Sequence, residues 1–536
     1  MRLFKIFILV IAVVSATACG NFNSSVGGTS DGTDTGSGTA GSGAGIERLS
    51  LDEYAGLSNV QKYQTANKIS ATLYKGVAVK DFFNLDNGLT DPTLANEENF
   101  IAATMTALSG YLANSAAYFS AVDAKYIFDE SDYSGFWTQQ YPLAVLFEFP
   151  ISKDRFEIWM AYTLANTILF SPAVERESVD YIDIQHVLYR LVKLIGNGKT
   201  ISEVVYEHLV SQENWRRFRS PEDNTREMME IFLARFIDDE VPMAAIACGN
   251  WYLADDRRGY QLVIGFDEND APQNILDTAV TTCYDFYRAV SEHPSLLPRV
   301  ISILVNVFFA GHSDDEKAGL VNAIIDTAPV TFNDLFTTII FSREYLLNAE
   351  RPKSFEEAFF NTARRIDWYA KNSFFRDLNR RLDRTTHETL SDLRQAPITY
   401  KLRRQTDVPL DSLSFAFYHK AVRERLLIDR KTDDFNEADG GWQADFIDVN
   451  LDGDDFIHYV FLSVISRKAA DTELSALNAI FDGLGYGSPA RGKTTSSGGA
   501  LYHGSDGTLD DKMGKAVVIM DYISRLSEFY YFNTIN

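Results

Sequence analysis

The sequence predicts an all-α protein, a multi-helix array of related helical hairpins with few or no strands. Three observations carry this expectation. Beyond Ile46, apolar residues recur at helical spacing along most of the chain. Two segments, TISEVVYEHLVSQE from Thr200 and TFNDLFTTIIFSRE from Thr331, run in the same register. Each opens with a threonine followed three residues later by an acid, Glu203 or Asp334, the signature of a capping box. Each then repeats one apolar pattern, Ile201, Val204, Val205, Leu209 and Val210 in the first and Phe332, Leu335, Phe336, Ile340 and Phe341 in the second, which is one buried helix face. Strand signals are scarce by contrast, and YQLVIGF at 260–266 is the best of them.

Taken in chain order, the first element is a leader. Arg2 and Lys5 precede an apolar stretch from Leu3 to Val14 that is too short to span a bilayer comfortably, so residues 1–18 read as an export signal. Ala16, Thr17 and Ala18 lead into Cys19, and this box resembles the lipobox of bacterial lipoproteins. That resemblance implies lipidation of Cys19, cleavage before it, and a protein attached to the membrane through its lipid without spanning it. Gly20 stands where an aspartate tends to retain such proteins in the inner membrane. The resemblance therefore implies an outer-membrane lipoprotein of a diderm bacterium, with the periplasmic and surface faces both open. Residues 19–46 form a Gly/Ser/Thr-rich tether whose only charges are Asp31 and Asp34, with a reach on the order of 30 Å.

The main helical domain is expected over residues 47–395. Helices ending near LFSP (169–172) and VFFAG (307–311) precede the two matched segments. A C-terminal helical region, 396–536, holds a third and weaker copy, which starts within 458–481 and finishes at 523–532. An acidic loop precedes that copy, and a Gly/Ser-rich insertion at about 484–510 splits it.

Composition bounds the partners. The 536 residues carry 50 basic and 74 acidic side chains, and loss of Arg2 and Lys5 with the leader takes the net charge from −24 to −26. Such a surface repels nucleic acid and anionic lipid. A local basic excess over 351–431 suits docking onto an acidic part of the same chain. At 46% hydrophobic and 13% aromatic, the body can bury a large core. Apart from Cys19 only Cys248 and Cys283 remain, and in an exported protein they fit either a disulfide or two buried thiols. The absence of CxxC excludes thioredoxin-type chemistry and c-type haem attachment.

Residues 202–365 resemble an exported bacterial family known as domain of unknown function 1800. PEDNTREMMEIF (221–232) carries the resemblance, with Arg226, Glu227 and Glu230 matching its N-x-x-R-E-x-x-E core and Asp223 replacing the leading Asn. AIACGNW (245–251) follows, ending in Trp251, then SEHPSLLPRVISILVNVFF (291–309), SREYL (342–346) and RPKSFEEAF (351–359). The resemblance implies export and a helical fold, and no reaction.

Four patterns bear on chemistry. GSPARGKT at 487–494 satisfies the phosphate-loop spacing, but it follows a helical stretch and precedes a turn-rich one, where a strand and a helix are needed; no nucleotide is expected. Asp448, Asn450, Asp452 and Asp454, with Gly453, form the front half of an EF-hand loop and suggest Ca2+, with Asp434, Asn436 or Asp439 to complete it. Tyr459 at position 12 fails the pattern, and an acidic turn capping the next helix explains the same residues. Arg226 and Glu230 lie one helical turn apart, as a buried ion pair or as part of an acid/base site. His293 before Pro294 suits a helix start better than a base, and no HExxH or GxSxG occurs.

The expected function is therefore a lipid-anchored helical protein that binds a protein or polysaccharide partner or takes part in envelope assembly. The competing expectation is a hydrolase acting on a polymer through carboxylates near residues 223–240. A deep pocket lined by Arg226, Glu227, Glu230 and Trp251 would favour the enzyme, and their burial in a closed core would favour the scaffold.

Overall fold

The computed structural model describes residues 45–96, 99–110, 145–169, 182–215, 220–235, 238–256, 259–267, 269, 271–370, 440–442, 446–484 and 511–535. Helices dominate it. Besides the single turn Val79–Phe82 they are α1 (Leu51–Gly56), α2 (Asn59–Thr72), α3 (Phe100–Ser109), α4 (Lys153–Asn166), α5 (Ile182–Gly196), α6 (Ile201–Leu209), α7 (Gln212–Trp215), α8 (Pro221–Leu233) and α9 (Val241–Ala247). The series continues with α10 (Cys283–Glu292), α11 (Leu296–Phe308), α12 (Asp314–Asp326), α13 (Phe332–Ile340), α14 (Phe355–Arg365), α15 (Gly453–Ile465), α16 (Asp471–Leu484) and α17 (Asp511–Ile523). Among the described residues every sheet is a two-stranded antiparallel ladder: β1 (Phe83–Asn84) with β2 (Thr93–Leu94), β3 (Trp251–Asp256) with β4 (Gly259–Ile264), β5 (Gln273–Ile275) with β6 (Thr278–Val280), β7 (Arg351–Pro352) with β10 (Tyr531–Phe532), and β8 (Trp368–Ala370) with β9 (Gly440–Trp442). The strand expected at 260–266 is β4.

Local sequence explains the helix starts. Thr200 and Thr331 are N-caps, each accepting from the main-chain N–H three residues on while Glu203 or Asp334 accepts in return. The same reciprocal pair occurs at Ser50/Glu53, Ser58/Gln61, Thr282/Asp285, Ser313/Glu316 and Ser354/Glu357. The apolar faces expected on α6 and α13 are buried, except for half-buried Val210 just past α6. The two caps meet: Thr200 and Thr331 form an antiparallel bridge, with Ile201 N donating to Val330 O at 3.0 Å. Both segments then turn on a buried serine. Ser211 Oγ donates to His208 O and accepts from Asn214 N, and Ser342 Oγ donates to Ile339 O and accepts from Tyr345 N.

Around these segments α4 packs on α5 and α11 on α12. Trp159 of α4 fills the space between them and α13, with its ring 5.2 Å from Phe336 and 6.3 Å from Phe308. The helices on either side of the boundary expected at residue 395 also pack together, α14 against α15. The boundary itself lies outside the described residues.

Buried cations tie these parts across long stretches of sequence. Arg155 donates to the carbonyls of Leu73, Tyr74 and Leu146, and Arg365 to those of Leu462 and Val464 and to Ser466 Oγ. Lys68 donates to Ala349 O at 2.6 Å and Lys353 to Glu528 O at 2.8 Å. Arg351 is buried in a bidentate pair with Glu357 and also donates to the Tyr345 hydroxyl. Burial depresses both lysines from the usual 10.5 to about 7, with Arg351 adding to the effect on Lys68 and Arg365 to that on Lys353.

Two outcomes follow from this packing. Thr200→Ala and Thr331→Ala should each cost about 1 kcal/mol in chemical denaturation, against roughly 3–5 kcal/mol for Trp159→Ala. An unfolded chain returns Lys68 and Lys353 to their usual value, so between about 7 and 10.5 it binds more protons than the folded one. Stability should therefore rise with pH across that window, by up to about 1.4 kcal/mol per pH unit for each lysine. Lys68→Met should flatten the rise in urea melts taken at about pH 7, 8 and 9.

Candidate functional site

The residues of the PEDNTRE helix divide between two faces. Ser220 caps α8 by accepting from Asp223 N, Pro221 opens it, and Ala234 closes it in the left-handed region. Asn224, Thr225, Met228 and Met229 then face inward. Arg226 faces outward and corrects the expected buried ion pair: its side chain is 45% exposed and its Nε lies 3.6 Å from Asp238, which is itself exposed. The inward polar group of α8 is instead Asn224, whose Oδ1 accepts from the buried Tyr287 hydroxyl at 2.6 Å. Glu227 and Glu230 are half-buried. Burial raises the Glu230 carboxyl above the usual carboxylate range, and Arg226 opposes this.

Trp251 is on the other side of the partition. It is 2% exposed, with its ring 5.4 Å from Trp215, 4.9 Å from Tyr284 and 5.8 Å from Tyr287. Arg226, Glu227, Glu230 and Trp251 therefore do not line one cleft. His293 caps the end of α10, and its Nδ1 accepts from Ser295 N, the turn into α11.

The aromatic cluster supports a projecting element. Cys248, which caps α9, and Cys283, which opens α10, are joined by a disulfide with their Cα atoms 4.3 Å apart. Between them run the β3–β4 hairpin and the short β5–β6 ladder. Trp251 N donates to Cys248 O at 2.9 Å, so the hairpin starts directly on the disulfide. At its other end Gly265 N donates to Asn250 O and Asn250 Nδ2 donates to Gly265 O, which closes the base.

Among the described residues, exposed apolar side chains are most frequent on this element. Among the described residues nine large apolar side chains are exposed, and five of them, Ile246, Tyr252, Ile264, Phe266 and Tyr284, fall within residues 246–284. Phe266 is fully exposed. Tyr284 packs edge-on against Trp251, and Trp251 is the cross-strand partner of Ile264. The five occupy both faces of the ladder, Ile264 sharing the face of its partner Trp251 and Tyr252 taking the other. Composition alone could not reveal it, because the hairpin reads as core-forming β sequence; the useful signal is Phe266 followed by the acidic sequence DEND.

The acidic loop does not gather its oxygens. Asp452 approaches Lys512 at 3.7 Å, and Asp454 accepts from Asn478 at 2.9 Å. Asp448 and Asn450 are exposed. Asp454 and Asp455 occupy the first turn of α15, where the helix dipole favours them. Asp455 also accepts from Leu89 N and Thr90 Oγ1, fixing the loop after Gly88 to the start of α15. Among the described residues no three His, Cys, Asp or Glu side chains are grouped to hold a metal. Asp434, Asn436 and Asp439 lie outside the described residues, as do Cys19 with the leader and tether through residue 44, and GSPARGKT. The element before that motif is helix α16.

No helix among the described residues is long and apolar enough to cross a membrane. Comparison with protein-family models, with curated proteins and with solved structures returns no match to this chain.

The disulfide gives a direct outcome. Cys248→Ser/Cys283→Ser should lose roughly 2–4 kcal/mol, as expected for a cross-link of this span, and the native chain denatured without reductant should take up no thiol reagent at these two positions.

Proposed function

We propose that this chain is a lipid-anchored envelope protein that binds another protein through the β3–β4 hairpin and the adjoining ends of α9 and α10. The observation that carries this is the concentration of Ile246, Tyr252, Ile264, Phe266 and Tyr284 on an element held by a disulfide. Aromatic side chains on a rigid support lose little freedom on docking and supply most of the energy of protein interfaces. Asp267, beside Phe266, is exposed, and Asp238 and Asp239 are exposed before α9, so the partner should carry basic side chains around an apolar pocket. The net charge of the chain supports the same choice.

In the same proposal Cys19 carries the lipid and the tether lets the hairpin reach beyond the headgroups. Ala16, Thr17 and Ala18 before Cys19 support the location. The bridged caps of α6 and α13, with the matching serine turns after them, support two copies of one helical unit related through Thr200 and Thr331.

Two measurements test it. Cys19→Ser should move the protein from the membrane to the soluble fraction; retention would refute the lipid anchor. A photo-crosslinking residue placed at Phe266 in intact cells should give one adduct with a basic protein, weakened at least tenfold by Tyr252→Ala. Both substitutions are at exposed sites and should change folding stability by less than about 0.5 kcal/mol. Adducts with lipid alone, with glycan, or with a second copy of the chain would overturn the proposed partner.

A further inference from the structure

A separate device surrounds His293, and it does not depend on the hairpin's having a partner. His293 ends α10, and its half-buried ring faces groups from three other elements. Ser295 N, in the turn into α11, lies 3.0 Å from Nδ1. Arg235 Nη1, just past the left-handed residue that closes α8, lies 2.9 Å from Nε2. The main chain fixes Arg235 there, because its N–H donates to Met229 O at 3.2 Å.

Two donors therefore face one imidazole. The neutral ring has a single lone pair for hydrogen bonding, on whichever nitrogen lacks the hydrogen, so it accepts from Ser295 or from Arg235 and exchanges between them by change of tautomer. The imidazolium has none. It would direct an N–H at each donor, with the guanidinium charge adding to the opposition. Burial and Arg235 accordingly hold His293 below its usual value of 6.5, while Asp277 in the β5–β6 turn and Glu240 at the start of α9 favour the proton. The charged neighbours on α10 and α11 are engaged elsewhere, Glu292 with Arg288 and Arg299 with Ile231 O. Glu240 accepts from Leu276 N at 2.9 Å, and Asp277 is exposed.

We propose that His293 is a pH-operated latch: neutral, it ties the end of α8 to the turn between α10 and α11, and protonated, it lets go of both donors and turns to Asp277 and Glu240. One proton passes from solvent to the ring, and no covalent bond within the chain changes. The sign follows from the direction of the shift. The unfolded chain takes up this proton near 6.5 and the latched chain only lower, so the latched form loses stability as pH falls below about 6.5. Opening loosens the end of α8, which leads to α9, and leaves the Cys248–Cys283 bond in place.

Hydrogen exchange read by mass spectrometry on the full chain, at about pH 7.5 and about pH 5 and corrected for the intrinsic effect of pH, tests the latch. Amides of residues 231–235 and 293–297 should exchange at least about fivefold faster at the acid end, while those of α12 hold their rate. His293→Gln keeps an acceptor and takes no proton, so it should abolish the acid effect; a melting temperature level with the native chain at about pH 7.5 would show that it folds. Arg235→Met should raise exchange over 231–235 already at about pH 7.5, and Asp277→Asn should move the opening to lower pH. Unchanged exchange in the native chain, or an acid effect that persists in His293→Gln, would overturn the proposal. Neither result bears on capture of a partner at Phe266, which tests the hairpin separately.

Discussion

Helix ends are the constraint on which this structure depends. Each α-helix leaves carbonyls at its C-terminus without partners, and a helical body must satisfy those it buries. Here long cationic side chains from other elements do so. Arg155 reaches the chain just past α2, Arg365 the end of α15, Arg299 the Ile231 carbonyl near the end of α8, and Lys353 the turn at 527–529. Each contact places positive charge at the negative end of a helix or turn. Because donor and acceptor are often far apart in sequence, these bonds fix tertiary arrangement as well as satisfying the backbone. The cost is desolvation of the cation, visible in the depressed lysines and in Lys75, which burial also lowers well below its usual value.

This division of labour explains what could be read in advance. Helix starts are local: a threonine and an acid three residues later are sufficient, and Thr200/Glu203 and Thr331/Asp334 were legible with their apolar faces. Helix ends are not local. No spacing rule connects Arg155 with Leu73 or Arg365 with Leu462, so these arginines read as surface charge. In the basic stretch that begins at residue 351, expected to dock within the chain, Arg351, Lys353 and Arg365 are interior groups. Arg226 shows the opposite error. An i,i+4 pair looks the same in sequence whichever face it occupies, and only the burial of Asn224 and Met228 sets the phase of α8.

The hairpin was legible as a strand at 260–266 but not as a site. Alternating apolar sequence does not say which face is covered, and a two-stranded ladder has more apolar side chains than it has core to bury them in. Trp251 takes the buried place against Trp215 and Tyr287, and Tyr252, next along the strand, is turned to solvent. A lone hairpin is marginal in water, so one that exposes this much apolar surface needs support from outside the ladder. The Cys248–Cys283 bond and the Asn250–Gly265 pair supply it at the base.

The burial of Lys68 and Lys353 is a consequence of the same economy of helix ends. Residues 528–535 return across α2, with Tyr531–Phe532 pairing with β7 and the carbonyls of Glu528, Phe529 and Asn533 taking up Lys353 and Lys68. Two lysines drawn inward to satisfy main-chain oxygens bring more positive charge than those oxygens neutralise, since a carbonyl carries only a partial charge. Glu350 and Glu344 act on Lys68 and Glu357 and Glu528 on Lys353, but burial outweighs them, and Glu528 is shared with Arg467. The surplus favours loss of a proton. Burial drives that loss, and it lowers Lys68 and Lys353 alike.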